Sequence, residues 1–113
     1  METVIDPGPI KYQDIELYQD HDLEQALEQD GLEPDNTTYR LIEIPISAIA
    51  DTKTMPWNHM GTGMIEALRA GAQFPPIVVL ATQYGWTLLD GVNRTYANWV
   101  LGSPTIRAYE LLT

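Results

Sequence analysis

The stretch LLDGVNRTYANWVLG, residues 88–102, places Arg94 in the first turn of a predicted helix, shortly after Gly91. The N-terminus of a helix carries partial positive charge, so a cation there is unfavourable unless it is solvated or meets an anion. Backbone N–H groups at such a turn commonly bind phosphate. The sequence therefore predicts a phosphate-binding turn that is short of negative charge and open to solvent. The structural alternative for Arg94 is an ion pair with Asp90, four residues earlier.

The residues beside Arg94 offer groups that would serve a phosphate ligand. Gly91 permits a positive φ or a close backbone approach to a ligand. Asn93 would cap the helix or donate to a phosphate oxygen, and Thr95 would offer a first-turn hydroxyl to the phosphate or to solvent. Asp90 would stabilise the turn, act as a general base, or hold Mg²⁺ through one carboxylate, since that ion usually keeps waters and substrate phosphates as its other ligands.

A second group of candidates lies on the loop at residues 52–63, which is polar and punctuated by proline and glycine. Long loops with aromatic and polar residues often carry functional groups. Trp57 would stack on a nucleobase. His59 titrates near neutrality, so it would transfer protons as a catalytic residue. The alternative for His59 is an exposed loop histidine with no chemical role.

The elements that must position these residues follow from apolar periodicity and from proline and glycine punctuation. Residues 1–12 are predicted to be irregular because Pro7, Gly8 and Pro9 interrupt them. The helix that contains Arg94 is predicted to bury one stripe, Tyr96, Ala97, Val100 and Leu101. Helices are predicted at about residues 21–30, 62–71 and 93–101, and strands at about residues 39–44, 76–81, 85–89 and 105–111.

Charge is distributed unevenly along the 113 residues. Residues 1–43 hold twelve Asp and Glu against Lys11 and Arg40, which gives −10, whereas residues 44–113 hold four acidic and four basic residues. A protein that binds a nucleic-acid backbone normally presents a basic surface. Because this chain is acidic or neutral along its length, direct DNA binding is not expected. The acidic helix at residues 21–30 would be a solvated face, a segment that binds a protein partner, or a phosphate mimic.

Cysteine is absent from the sequence, which excludes disulfides and thiolate chemistry. No apolar run is long enough to span a membrane, and the acidic start of the chain lacks the cationic and apolar regions of a secretory signal. We therefore expect a cytoplasmic protein with no membrane contact and no metal cluster.

The order of a helix, PPIVV, a turn, WTLLDGVNRTYANWVLG and IRAYEL resembles the ParB/sulfiredoxin-like family over about residues 40–112. The strongest element of the resemblance is G-x-x-R-x-x-A, formed by Gly91, Arg94 and Ala97. The resemblance implies an α/β (α+β) fold, a small mixed sheet with packed helices. It also implies that the strand-to-helix turn holds nucleotide phosphates.

Departures from the family pattern limit the chemistry. Sulfiredoxins carry a cysteine and a histidine just before the matching arginine, where this chain has Val92 and Asn93. Sulfinic-acid reduction through a thiolate is therefore excluded, since valine is not a nucleophile. ParB proteins carry Glu-Arg at these two positions. Their Gln-Pro-Arg-like stretch upstream is matched here by Met55-Pro56-Trp57, which lacks the arginine.

The sequence thus predicts an acidic N-terminal arm with a short helix at residues 1–38 and a ParB/sulfiredoxin-like domain at residues 39–113. The domain would bind a nucleoside di- or triphosphate with Mg²⁺. If the protein is an enzyme, the reaction would be phosphoryl transfer or nucleotide hydrolysis, with Asp90 and His59 as catalytic candidates. The alternative is a non-catalytic interaction or inhibitory module that binds a protein partner through residues 1–36. The predicted ligand-binding residues are Gly91, Asn93, Arg94, Thr95 and Trp57.

Overall fold

Segments with alternating or continuous apolar residues form a sheet that carries short helices. The structure is a computed structural model, and it describes residues 2–18, 23–49 and 62–112. The strands of the described chain are β1 (Thr3–Lys11), β2 (Thr38–Pro45), β3 (Ile77–Thr82), β4 (Gly85–Asp90) and β5 (Thr105–Leu111). The α-helices are α1 (Leu23–Gln29), α2 (Thr62–Arg69) and α3 (Val92–Val100). Short 3₁₀ helices lie at Tyr12–Asp14, Pro34–Asn36 and Ile46–Ala48.

The five strands form one mixed sheet in the order β1-β2-β5-β3-β4. β5 lies at the centre, antiparallel to β2 from Tyr39↔Leu111 to Pro45↔Thr105 and parallel to β3. β4 returns antiparallel to β3 through a tight turn, and the chain then enters α3. The predicted small mixed sheet with packed helices is therefore confirmed.

Side-chain alternation along the strands builds an apolar cluster on each face of the sheet. The strand residues of one cluster are Ile42, Ile44, Ile77, Val79, Ile106 and Ala108. Tyr39, Val78, Tyr109 and Leu111 belong to the other cluster, which also contains Ile15 and the α1 residues Leu23 and Leu27. The acidic N-terminal third thus contributes buried side chains to the core of the sheet.

Residues 3–11 form an edge strand, so the predicted irregular conformation of residues 1–12 is wrong. β1 pairs with β2, and its register shifts between Asp6 and Ile10, where Pro7, Gly8 and Pro9 lie. An edge strand tolerates proline because it does not need every N–H for a neighbouring strand. Gly8 has a φ of +68°, and a Cβ there would collide with the carbonyl oxygen of Tyr39.

The other predicted elements agree with α1 to α3 and β2 to β5 within a few residues. The predicted buried stripe of α3 is wrong at Val100, which is 41% exposed. α3 instead buries Arg94, Thr95 and Ala97. No helix in the described ranges is long and apolar enough to cross a bilayer. The division of the chain at residue 38 stays a prediction.

Candidate functional site

The turn between β4 and α3 depends on the absence of a side chain at Gly91. This residue is the N-cap of α3 and has a φ of +117°, in the left-handed region that L side chains rarely adopt. A Cβ there would lie 2.5 Å from Cγ2 of Ile77. The predicted positive φ is confirmed. The space that Gly91 leaves open is filled by the sheet core, so its role includes packing as well as turn geometry.

A cavity of about 170 Å³ opens at the start of α3. The structure brings four of the predicted site residues to its wall, Asp90, Gly91, Asn93 and Arg94. The remaining lining comes from Tyr18, Met64, Leu89 and Val92. Trp57 and His59 belong to residues 50–61, which lie outside the described residues.

The guanidinium of Arg94 is held by acceptors of the protein itself. Its Nη1 donates to the carbonyl oxygens of Pro75, at 3.0 Å, and Pro76, at 2.6 Å, and its Nη2 donates to Oδ2 of Asp90 at 3.1 Å. The ion pair that was the structural alternative for Arg94 is therefore confirmed. The expectation of a turn short of negative charge is wrong, because the Asp90 carboxylate lies in the turn to neutralise the cation.

Burial makes this ion pair unusual for a small domain. The side chains of Arg94 and Asp90 are only 4% and 9% exposed. Burial lowers the pKa of Arg94 because it penalises the charged form, and the nearby Asp90 carboxylate opposes that shift. Arginine nevertheless stays protonated in proteins. The turn therefore holds a permanent cation and its counter-charge.

Hydrogen-bond donors remain available around this pair. A guanidinium has five N–H donors, and the bonds described above use three of those of Arg94. No acceptor in the described parts of the chain meets Nε–H or the second Nη2–H. The first intrahelical bond runs from the Thr95 N–H to the Gly91 carbonyl oxygen at 2.9 Å, and no side chain of the described residues caps the helix. The backbone N–H groups of Val92, Asn93 and Arg94 are thus the uncapped donors of the first turn.

The structure differs from the capping role predicted for Asn93 and from the accessible hydroxyl predicted for Thr95, whereas the role of Asn93 as a phosphate donor stays a prediction. Asn93 is exposed at the cavity wall and makes no capping hydrogen bond, so the capping prediction is wrong. Thr95 is fully buried, and its hydroxyl donates to the carbonyl oxygen of Gly91 at 2.8 Å. The side chain of Thr95 does not line the cavity, because this backward bond to residue i−4 directs the hydroxyl to the helix backbone.

Tyr18 is a site residue that sequence reasoning misses. The centroid of its ring lies 5.4 Å from Cζ of Arg94, within the range of a cation–π contact. The same ring meets Phe74 edge-on at 5.5 Å. Tyr18 belongs to the predicted arm, and no sequence spacing relates it to the turn. Only the fold reveals that the N-terminal third supplies part of this wall.

The residues at the turn would give a metal ion one protein ligand at most. No group of three or more His, Cys, Asp or Glu side chains comes together within residues 2–18, 23–49 and 62–112. Asp90 is the carboxylate that lines the cavity. This set fits Mg²⁺ bound together with a phosphate, because Mg²⁺ is often held by one or two carboxylates and completes its shell with waters and phosphate oxygens.

Comparison with known proteins shows the fold. No family model matches the chain, and no curated protein matches it. It is similar to a solved Pnob8-like ParB-N domain, with 22% identity and a TM-score of 0.51 over 67% of this chain and 31% of that chain. It is also similar to sulfiredoxin from Arabidopsis thaliana, with 27% identity and a TM-score of 0.47 over 62% of this chain and 82% of that one.

The chain therefore has the ParB/sulfiredoxin fold, an α+β fold with a mixed five-stranded sheet. It spans about a third of the length of the ParB-N structure that it matches. The resemblance found in the sequence is confirmed at the level of the fold.

Proposed function

We propose that the chain binds a phosphate group, as carried by a nucleotide, in the cavity at the start of α3. One observation carries the proposal: the uncapped N–H groups of Val92, Asn93 and Arg94 belong to residues that line this cavity. Amide donors and the helix dipole together favour an anion at such a position. The exposed side chain of Asn93 adds a further donor at the wall.

The size of the cavity favours a phosphate or pyrophosphate group over a whole nucleotide. Its volume of about 170 Å³ lies below the roughly 300–1,000 Å³ of pockets that enclose drug-sized ligands. The sugar and base of a nucleotide would therefore extend beyond it. The ligand that we propose is a nucleoside di- or triphosphate of which only the phosphates enter the cavity.

The charges at the turn lead to a dependence on magnesium. Arg94 and Asp90 neutralise each other, so the helix N-terminus and the leftover guanidinium donors supply the attraction for an anion. A phosphate that enters without a cation would meet the Asp90 carboxylate. A Mg²⁺ ion between that carboxylate and the phosphate oxygens would remove the repulsion. We therefore expect the protein to bind the magnesium complex.

Phosphoryl transfer or nucleotide hydrolysis is the reaction class that such a site would serve, because positioning and charge neutralisation supply most of its catalysis. Asp90 would take part as the carboxylate beside the phosphates. Arg94 would act as a positioning residue, since it fixes Asp90 and the backbone of Pro75 and Pro76.

Isothermal titration calorimetry tests the proposal with pyrophosphate, ADP, ATP, CTP and GTP, each with and without MgCl₂. We expect binding heat with magnesium and an affinity about tenfold or more lower without it. Asn93→Asp should weaken binding, because it adds a negative charge at the mouth of the cavity. Gln83→Glu adds the same charge in an exposed turn and should bind like the wild type. Absence of heat for every ligand at millimolar concentration would remove the proposal.

The second candidate function is binding of a basic protein partner through an acidic surface. One observation favours it: α1 and the neighbouring 3₁₀ helices carry four exposed carboxylates, Asp14, Glu24, Glu28 and Asp35. Glu28→Lys with Asp35→Lys would abolish binding to such a partner. The same double variant would leave the calorimetric titration unchanged if the phosphate cavity is the functional site.

A further inference from the structure

A second and larger cavity, of about 390 Å³, lies between α2, α3 and the strands β2 and β5. Glu43 of β2 and Arg107 of β5 belong to its wall. Arg94 is the residue that it shares with the lining of the smaller cavity at the start of α3. The two cavities therefore have different linings that share one buried side chain.

Glu43 and Arg107 are cross-strand neighbours that do not pair. They occupy directly opposed positions in the antiparallel register of β2 and β5. Opposite charges so placed commonly attract each other. Within the described parts of the chain, neither side chain forms a hydrogen bond or an ion pair. Glu43 is half-buried and Arg107 is exposed. The wall thus offers a free carboxylate and a free guanidinium side by side.

Neutral polar groups surround these two charges. Nδ2 of Asn98 donates to the carbonyl oxygen of Arg94 at 2.8 Å, which fixes the amide and leaves its Oδ1 as an acceptor. Gln73 and Thr105 also belong to the lining. Phe74 adds an apolar surface, and its ring is held edge-on by Tyr18. Such a wall suits a small ligand that is polar and carries both kinds of charge.

We propose that this cavity binds a small polar zwitterion of the amino-acid class, with its ammonium group on Glu43 and its carboxylate on Arg107. A ligand with one charge would bring a counter-charge to only one of the two side chains, whereas a zwitterion matches both. The volume of about 390 Å³ lies near the lower end of the roughly 300–1,000 Å³ of small-molecule pockets, which accommodates an amino acid. The proposal does not depend on phosphate binding at α3.

The first test uses nuclear magnetic resonance titrations of the ¹⁵N-labelled protein with glycine and L-glutamine. Two matched probes each lack one charge: N-acetyl-L-glutamine has no ammonium group, and L-glutaminamide has no carboxylate. We expect the resonances of Glu43, Asn98 and Arg107 to shift with both zwitterions, and each single-charge probe to bind about tenfold or more weakly. Equal binding of N-acetyl-L-glutamine, or no shift with either zwitterion, would overturn the proposal.

The second test separates binding from folding. Glu43→Gln and Arg107→Gln should each weaken binding of L-glutamine about tenfold or more. Because neither side chain has a partner among the residues that the structure describes, both variants should melt within about 4 °C of the wild type. Arg69→Gln, which removes an exposed arginine of α2 outside the lining, should bind normally. Wild-type affinity in both cavity variants would contradict the assignment.

Discussion

Two arginines of this chain pair with carboxylates in contrasting surroundings. Arg94 is 4% exposed and pairs with Asp90 across one turn, at the wall of a cavity. Arg40 is 25% exposed and joins two strands, since its Nε donates to Oε1 of Glu110 at 2.7 Å and its Nη2 donates to Glu2. Each arginine neutralises a buried carboxylate. The two pairs differ in the exposure of the arginine and in the cavity that lies beside Arg94.

The Arg40–Glu110 pair is part of a larger cluster of side chains that joins neighbouring strands. The second carboxylate oxygen of Glu110 accepts the indole N–H of Trp86 at 2.6 Å, so the cluster connects β2, β5 and β4. The Arg94–Asp90 pair lies beside uncapped backbone donors, and two of its guanidinium N–H groups have no acceptor in the described residues. We infer that the Arg94–Asp90 pair suggests a binding site because it lies beside a cavity and the uncapped start of a helix, and not because its guanidinium has unused donors.

The largest expected effect is that of Asp90→Asn. This change leaves the buried guanidinium of Arg94 without its counter-charge, and breaking a buried pair in this way typically costs about 3–5 kcal/mol. Urea unfolding followed by circular dichroism measures the loss of unfolding free energy. Asp14→Asn, at an exposed carboxylate, is the matched control and should change it by less than about 0.5 kcal/mol. A loss of under about 1 kcal/mol for Asp90→Asn would contradict the structural role of the pair.

Glu110→Gln should cost less, about 1–2 kcal/mol. Arg40 keeps Glu2 and partial solvation, and the amide oxygen of the new side chain still accepts one hydrogen bond. Urea unfolding followed by tryptophan fluorescence measures both the stability and the surroundings of Trp86. If Glu110→Gln lowers the unfolding free energy as much as Asp90→Asn does, then the exposure of the arginine does not determine how much each pair stabilises the fold.

Asn93→Asp should have opposite effects on folding and on binding. An acidic residue in the first turn of a helix interacts favourably with the dipole, so the unfolding free energy should rise by about 0.3–1 kcal/mol. The affinity for magnesium pyrophosphate should fall. Thermal unfolding measures the change in stability, and calorimetry on the same preparation measures the change in affinity. Gln83→Glu should change neither the stability nor the affinity. A fall in stability together with unchanged affinity would argue against an anion site at α3.

The smallest expected effect is on the pKa of Tyr12, whose neutral hydroxyl donates a hydrogen bond to the carboxylate of Glu24. Burial, together with a hydrogen bond from the Tyr12 hydroxyl to Oε1 of Glu24 at 3.2 Å, raises the pKa of Tyr12 to about 12. Because the folded value lies above the unfolded value of 10.0, this contribution to stability is fully present below pH 10 and is lost as the pH rises through about 12.

Absorbance of the phenolate during an alkaline titration measures this pKa, and the difference from Tyr12→Phe identifies the absorbance change that belongs to Tyr12. Glu24→Gln should lower the pKa of Tyr12, since it removes the negative charge that disfavours the phenolate. Burial should keep the value above 10. An unchanged titration curve in Glu24→Gln would show that the carboxylate does not act on Tyr12.

Local sequence patterns predict much of the fold but less of the site. Periodicity identifies β2 to β5 and the helices, because each element buries one regular face. Periodicity does not predict β1. Pro7 and Pro9 indicate an irregular segment, and the strand forms by pairing with β2, which is distant in the sequence. The spacing of Asp90 and Arg94 predicts their ion pair, since both side chains belong to one turn.

The remaining contacts of Arg94 could not be predicted from spacing. Its bonds to the carbonyl oxygens of Pro75 and Pro76, and the ring of Tyr18 beside it, depend on where the fold brings distant segments together. Asn93 shows the converse case. Its residue type is typical of a helix cap, yet the cap position is occupied by Gly91.

The most direct test of phosphate binding at α3 is a ¹H–¹⁵N correlation spectrum of the labelled protein, titrated with magnesium pyrophosphate. Magnesium chloride alone serves as the reference titration. We expect saturable shifts of the Val92, Asn93 and Arg94 amides that exceed those caused by magnesium chloride, with residues of α1 unaffected. Unchanged amides at these three positions, or shifts equal to those with magnesium chloride, would contradict it.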